Sequence, residues 1–180
     1  MNLFGWKSAG RAAARPALSR GMSAWIGGSW PRAYEAQIRE LYLTNAVAQR
    51  AVRLVAEGVA SVSVRATVDR AAALLAATSG GQRLLETLAT NILLHGNGFV
   101  QVLMDPAGAP VELFALRPER IAVEADARGW PTSYRYRAGD AVTHLPAESL
   151  IHMRAHHPLD DHYGLGCLDA AAGPLSLIHI

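Results

Sequence analysis

Residues 93–102, Leu-Leu-His-Gly-Asn-Gly-Phe-Val-Gln-Val, decide the fold of this chain. The apolar pattern before this stretch predicts an amphipathic helix over residues 82–95, and the apolar run after the glycines predicts a strand over residues 99–104. Glycine adopts backbone angles that other residues resist, so two glycines around an asparagine permit a sharp reversal with little loop. We therefore interpret the residues in between as a structural junction. These residues are Gly96, Asn97 and Gly98.

The composition is that of a folded chain. Its 180 residues suggest one domain or a piece of a larger one, and 51% of them are apolar while 18% are charged. The formal net charge of +2 is weak evidence for a polyanionic partner, because a dedicated reader of duplex DNA carries a denser face of lysine and arginine. No apolar run approaches the length needed to span a bilayer, so we expect no membrane partner.

The first segment, residues 1–30, is predicted to be a flexible basic arm. It contains Lys7, Arg11, Arg15 and Arg20, and the first acidic residue of the chain is Glu35. Its apolar residues are scattered, which differs from the continuous apolar core of a secretory signal. We expect this arm to become ordered on a neighbouring molecule.

Helical patterns dominate the next part of the chain. Helices are predicted over residues 31–42, 46–60, 71–77 and 82–95, with Thr44 or Asn45 as the N-cap of the second. The alternation over residues 62–68 predicts a half-exposed strand. Arg53 and Glu57 have the spacing of an i,i+4 ion pair. The apolar stripe predicted for the second helix is Val47, Ala51, Leu54, Val55 and Val59.

Short strands separated by turn residues follow the junction. They are predicted over residues 111–116, 121–124, 132–137, 142–145 and 150–154, before a polar loop over residues 156–166 and a helix over residues 165–172. The predicted fold class is α+β, with amino-terminal helices, the helix-to-strand junction and a mostly antiparallel β-meander over residues 31–172. Gly173 and Pro174 should break the last helix, and we expect residues 173–180 to be an artefactual tail.

The densest group of polar side chains lies between the last predicted strand and the last predicted helix. Histidine and carboxylate groups could bind zinc or a non-haem metal, as in a metal-dependent hydrolase. The alternative is a solvated loop whose side chains bond to each other and to the backbone, and we favour it because Pro158 opposes the helix that would align His152 with His156. The group comprises His152, His156, His157, Asp160, Asp161 and His162.

Other candidate sites lack the pattern that their chemistry requires. Ser79 and Ser149 lack the strained turn of a serine nucleophile, and the glycine pairs lack the spacing and lysine of a phosphate loop. The junction ends a helix, where the dipole disfavours phosphate and favours His95 as a capping cation. The single cysteine, Cys167, is expected to be a small buried apolar residue. We assign no catalytic, cofactor-binding or metal-binding residue.

Four segments carry a resemblance to a known family. Residues 45–62 are similar to that family's first long helix, and residues 93–102 to its Gly-Asn-Ala/Gly-aromatic junction. Residues 111–121 are similar to its apolar strand followed by Arg-Pro, and residues 151–166 to its loop with Asp and then Gly-Leu, although Gly166-Cys167 stands where Ser-Pro is usual. In order and spacing they resemble the portal proteins of tailed bacteriophages, of the type found in siphophages, prophages and gene transfer agents.

The resemblance implies a structural role and no catalytic residue. Portal proteins form a dodecameric ring at one capsid vertex, through which DNA is packaged and ejected. The implied partners are further copies of the chain, the terminase motor, capsid and head–tail connector proteins, and double-stranded DNA that passes non-specifically. The implied location is the virion, and the host cytoplasm during assembly. The chain resembles only the amino-terminal wing-like region, so we expect the stem and the clip to be absent from it.

A cyclic ring requires each subunit to carry two complementary surfaces. We expect the basic arm and the polar loop to supply subunit contacts. Two alternative functions remain open at this point, namely the metal-dependent hydrolase and a small basic nucleic-acid-binding module. The candidate contact residues are Arg11, Arg15, Arg20, His157, Asp160, Asp161 and Tyr163.

Overall fold

The structure is a computed structural model that describes residues 38–168 and residue 171, without the side chains of residues 39 and 40. The predicted basic arm with Arg11, Arg15 and Arg20, most of the first predicted helix and the predicted tail over residues 173–180 lie outside the described residues. Within the described residues, no helix is long and apolar enough to cross a membrane.

Three complete α-helices of the described residues follow a π-helical turn at Arg39–Leu43. They are α1 (Ala46–Ser61), α2 (Asp69–Ala76) and α3 (Leu84–His95). Of the two N-cap candidates, Thr44 and Asn45, the structure selects Asn45 for α1, because its side chain accepts hydrogen bonds from the backbone N–H groups of Val47 and Ala48, each at 3.0 Å. The predicted ion pair between Arg53 and Glu57 is also present, at 3.7 Å.

The predicted apolar stripe of α1 is wrong. The residues buried on this helix are Ala48, Val52 and Ala56, which pack towards α3, whereas Val47 and Leu54 are 60% and 58% exposed. Because successive residues are separated by about 100° around a helix, the apolar residues of α1 cover roughly 200° of its surface. The neighbouring α3 covers only part of that arc, and it packs against the part with small side chains, where two helices approach most closely.

The strand predicted over residues 62–68 is also wrong. These residues form bends and irregular backbone between α1 and α2, and Val62 and Val64 are 65% and 43% exposed. An alternating pattern makes a strand only where a second strand accepts its backbone hydrogen bonds, and among the described residues no strand pairs with this segment.

Eight strands form three antiparallel groups among the described residues. One is a two-stranded ladder, and the other two are three-stranded sheets with the orders β4-β3-β8 and β5-β6-β7. The strands are β1 (Thr78–Ser79), β2 (Gln82–Arg83), β3 (Asn97–Met104), β4 (Pro110–Leu116), β5 (Ile121–Ala125), β6 (Pro131–Ala138), β7 (Ala141–Pro146) and β8 (Leu150–Arg154).

The predicted α+β class is confirmed, but the single meander is divided between two sheets. Strands β5, β6 and β7 form a meander, whereas β8 returns to pair with β3, with His152 opposite Phe99 and Arg154 opposite Asn97. The strand that leaves the junction is therefore the centre of its own sheet, and the last strand ends beside the junction.

The main core lies between the two larger sheets. Its buried side chains come from the strands of both sheets: Phe99, Leu116, Ile121, Tyr134, Leu145 and Leu150. On the other face of β3, Leu84 and Leu88 of α3 pack against Val100. These contacts fix α3 on the sheet that it enters, and thereby fix the position of the junction between them.

Candidate functional site

The junction begins with a left-handed glycine. Gly96 caps α3 with φ +67°, and its N–H donates to the carbonyl of Ile92 at 2.9 Å. A Cβ atom at this position would overlap the backbone of Gly164 and lie 2.5 Å from the carbonyl carbon of Leu165. Position 96 therefore requires glycine for two reasons, namely its left-handed backbone angle and the close approach of a distant segment.

Asn97 is the fully buried centre of the site. Its Nδ2 donates to the carbonyl of His95 at 2.7 Å and to that of Gly164 at 3.3 Å, while its Oδ1 accepts from the N–H of Gly164 at 2.9 Å. The backbone partners fix the orientation of the amide, because only the nitrogen can face a carbonyl. The side chain thus pairs with both backbone groups of Gly164, as a neighbouring strand would.

A loop distant in sequence lies against this asparagine. We call residues 155–166 the docked loop. The N–H of Ala155 donates to the carbonyl of Gly96 at 2.8 Å, and at the other end a Cβ atom on Gly166 would overlap the carbonyl of Leu94. Both ends of the docked loop therefore contact the end of α3 closely enough that Gly164 and Gly166 have no space for a side chain.

The residues after the docked loop are held to the helices. Residues 167, 168 and 171 are helical, and Leu168 packs in a buried cluster with Ala48, Val52 and Leu94. Cys167 is exposed, contrary to the prediction, and its Sγ donates to the carbonyl of Leu93 at 2.9 Å. The junction and the docked loop together fix the direction in which the chain leaves this region.

His152 supports Asn97 and was predicted as a possible metal ligand. Its Nε2 lies 3.1 Å from Oδ1 of Asn97, and because that oxygen only accepts, Nε2 must carry the proton. The ring stacks on Phe99 with centroids 4.1 Å apart and meets the edge of Tyr134 at 5.9 Å. Burial, with smaller contributions from the charges of Arg154 and His162, lowers the pKa of His152 to about 4, so the ring is neutral at pH 7.

The interpretation of His95 as a capping cation is wrong. Its side chain is buried, and burial lowers its pKa to about 4. Its Nε2 lies 3.9 Å from Oε2 of Glu119, which is too far for a hydrogen bond, so desolvation outweighs the attraction of that carboxylate. His95 is therefore a neutral buried group at the helix end.

The polar side chains of the docked loop bond mainly to the backbone, as the solvated-loop interpretation predicted. Oδ1 of Asp160 accepts from the N–H groups of His162 at 2.6 Å and Tyr163 at 2.9 Å, and Nδ1 of His157 accepts from that of Leu159 at 3.1 Å. Across the described residues, no three His, Cys, Asp or Glu side chains are placed to hold a metal ion. The geometry therefore gives no support to the hydrolase alternative.

Tyr163 links the docked loop to the second sheet. Its hydroxyl oxygen accepts from the N–H of Val123 in β5 at 2.9 Å, and burial raises its pKa. Asp160 shapes the turn before it, while Asp161 is exposed and His157 half-buried. The role of these residues as subunit contacts stays a prediction.

The sequence indicated the junction and the loop as separate features, but it did not indicate that they contact each other. Gly164 and Gly166 were noted only as part of the family resemblance. Two features of the sequence could have predicted this contact. One is the Gly-Leu-Gly spacing after a polar loop, and the other is an asparagine that interrupts an otherwise apolar run.

The fold and this site define an α+β structural region organised around a buried chain reversal. The chain belongs to the phage portal protein family, because residues 46–177 match the model of that family. A protein of Rickettsia felis is 26% identical over 156 residues, and one of Rickettsia bellii is 23% identical over the same length; both are uncharacterised. In each case the match covers 77% of this chain and 40% of the relative.

Chains in solved structures of gene transfer agent particles are also similar to this chain. A chain in the virion of a native gene transfer agent particle is 34% identical, with a TM-score of 0.73, over 85% of this chain and 45% of that chain. A chain in the neck of a native particle computed with C12 symmetry is also 34% identical, with a TM-score of 0.73, over 83% of this chain and 42% of that chain. This chain thus spans less than half the length of each of these relatives.

Proposed function

We propose that this chain is the wing-like region of a structural, non-catalytic subunit of a portal ring, through which DNA enters and leaves a phage-like particle. The observation that carries this proposal is the similarity, 34% identity with a TM-score of 0.73, to a chain of a particle neck with C12 symmetry. Membership of the portal family over residues 46–177 supports it independently.

The proposed assembly is a dodecameric ring at one capsid vertex of the virion, formed in the host cytoplasm. Its other partners are the terminase motor, the capsid and the head–tail connector proteins, and double-stranded DNA passes through the channel without base recognition. A closed ring requires that every subunit present its two contact surfaces at the same angle. The regions that join the elements of a subunit must therefore hold a single geometry.

The junction and the docked loop supply such a geometry. Asn97 ties the end of α3 and the start of β3 to the docked loop, and the close glycine contacts leave little freedom for the backbone. Because the chain continues from the docked loop into Leu168, which packs on α1, this site sets the direction of the following segment relative to the sheets. In this proposal the site acts as a rigid elbow of the subunit.

The experiment that tests the proposal locates the chain within a particle. An epitope tag inserted in the turn between β3 and β4, where Pro106, Ala107 and Gly108 are exposed, should not disturb the fold. Particles from the organism that encodes the chain are then labelled with antibody and imaged by electron microscopy. We expect label at one vertex of each particle, at the neck. Label spread over the capsid, or particles without the tagged chain, would contradict the proposal.

A further inference from the structure

The buried asparagine of the junction is followed by a glycine, and this pair has a chemistry of its own. The chain has four asparagines, at positions 2, 45, 91 and 97, and only Asn97 precedes a glycine. In an open chain the backbone nitrogen of the next residue attacks the side-chain amide carbon of an asparagine, and glycine hinders this attack least because it has no Cβ atom. Asn97 is therefore the asparagine of this chain with the greatest intrinsic tendency to lose its amide.

The reaction has two steps, and water is its only co-reactant. The nitrogen of Gly98 forms a bond to Cγ of Asn97, the bond from Cγ to Nδ2 breaks, and ammonia leaves with the proton from the attacking nitrogen. The product is a five-membered cyclic imide. Water then adds to one of its two carbonyl carbons, and the ring opens to an aspartate or to its isomer, in which the main chain runs through the former side chain.

Strand pairing holds the attacking nitrogen in the folded chain. The N–H of Ala155 donates to the carbonyl of Gly96 at 2.8 Å, which fixes the phase of the ladder between β3 and β8. Because ladder hydrogen bonds alternate, the N–H of Gly98 points to the carbonyl of its register partner, Met153. A strand has a ψ angle of about +135°, and ring closure requires this angle at Asn97 to rotate far from that value.

The docked loop holds the amide that would be attacked. Nδ2 of Asn97 donates to the carbonyl of Gly164 at 3.3 Å, and Oδ1 accepts from the N–H of Gly164 at 2.9 Å. The side chain is fully buried, so the water required by the second step is also excluded. Strand β8 ends at Arg154 and continues directly into the docked loop. Opening of this one segment therefore frees both reacting groups.

We propose that Asn97–Gly98 is a self-modification site that the docked loop gates. The closed chain is protected, whereas a chain with an open docked loop deamidates and then does not close again. A carboxylate has no hydrogen-bond donor for the carbonyls of His95 and Gly164, and an unpaired charge is strongly unfavourable in this buried position. The isomer adds an atom to the main chain of β3 and shifts its register. The reaction thus marks irreversibly the chains in which the docked loop has opened.

The first experiment compares the full 180-residue chain in mildly alkaline buffer with the same chain in urea. Tandem mass spectrometry locates the gain in mass that occurs when the amide NH₂ is replaced by OH. We expect conversion of Asn97 to be at least about a hundredfold slower in buffer, because the rate follows the fraction of open molecules. Asn91, which precedes Ile92, is the internal control and should stay unconverted. Similar rates in buffer and urea, or equal conversion of Asn91, would overturn the proposal.

The urea dependence of the rate distinguishes opening of the docked loop from global unfolding. Local opening exposes little surface, so the rate should be nearly constant below the unfolding transition. A rate that rises from the lowest urea concentrations with the slope of global unfolding would refute the gate. This measurement requires no variant and therefore does not depend on whether a variant folds.

Matched variants test the same distinction. Gly164→Ala loosens the docked loop, so conversion in buffer should be at least about tenfold faster than in the parent. Leu145→Val removes a methylene from the main core on β7 and should leave the rate within about twofold of the parent. Equal acceleration by the two variants would contradict gating by the docked loop.

Asn97→Asp tests whether the modified chain fails to close. Amide exchange in residues 155–166 should be at least about tenfold faster than in the parent, and residues 131–146 of the second sheet are the reference for overall stability. Exchange equal to that of the parent, or an equal rise in both regions, would refute the failure to close. These experiments use the isolated chain, so their outcomes are independent of the tag experiment that tests the proposed function.

Discussion

Replacing Asn97 by alanine should destabilise the chain more than any other single polar truncation in the described core. The side chain is fully buried and joins three backbone groups and the ring of His152. Its loss leaves the N–H of Gly164 and Nε2–H of His152 without their acceptor. An unsatisfied buried donor costs about 1–3 kcal/mol, so two donors give about 3 kcal/mol after a water molecule enters the vacated space.

This loss is large relative to the usual stability of a domain. A free energy of unfolding of about 5–15 kcal/mol is typical, and about 3 kcal/mol corresponds to a fall in melting temperature of roughly 10 °C. Denaturant unfolding followed by circular dichroism measures the free energy. Trypsin measures the local effect, because the bond after Arg154 opens the docked loop and should be cleaved faster in the variant.

Asn91→Ala is the matched control. This asparagine lies on α3 and is half-buried, and its Nδ2 makes one long hydrogen bond of 3.4 Å to the carbonyl of Leu116. Its truncation should cost below about 1 kcal/mol. If Asn97→Ala and Asn91→Ala lose the same free energy, and trypsin cleaves both as slowly as the parent, the assignment of Asn97 as the organising residue is refuted.

Three further predictions concern the pH response, the glycine contact and the helix cap. His95 and His152 have pKa values of about 4 in the folded chain, against a usual value of 6.5. The chain should therefore be most stable above pH 6.5 and lose stability as the pH falls towards 4, by up to about 3 kcal/mol for each histidine. His152→Gln should flatten this pH profile when the free energy of unfolding is measured by urea titration. Gly164→Ala should displace the docked loop and cost at least about 2 kcal/mol, visible as faster amide exchange in residues 155–166, and unchanged exchange would contradict the close contact. Asn45→Ala should cost about 1 kcal/mol and fray only the first turn of α1, whereas Asn45→Ser should restore most of it.

The helices and the junction were predictable because their signals are local. Asn45 precedes an apolar-periodic run and caps it through groups two and three residues away. Gly96 ends α3 in the left-handed conformation for which glycine has no steric penalty. In both cases the deciding contacts lie within one helical turn, so neighbouring residues in the sequence contain the information.

Errors arose where the outcome depended on a distant partner. Residues 62–68 alternate like a strand but have no strand beside them in the described part of the chain, and Val47 and Leu54 are as apolar as the residues that α3 buries. The carboxyl end of a helix in water would favour a positive charge on His95. In the folded chain the surrounding core excludes the water that would stabilise this charge. Each local pattern allowed two outcomes, and packing selected one.

The sequence by itself determined the α+β class, the start of α1 to within one residue, the glycine turn at Gly96 and the family resemblance. Only the tertiary structure decided that β8 returns to β3, and that Asn97 binds Gly164, 67 residues further along the chain. The physical reason is the sequence separation of the interacting groups. Backbone angles and caps are fixed by adjacent residues, whereas a buried amide finds its partners only after sheets and helices have packed. The short motif at residues 93–102 therefore specifies the reversal, and the folded core gives it a fixed direction.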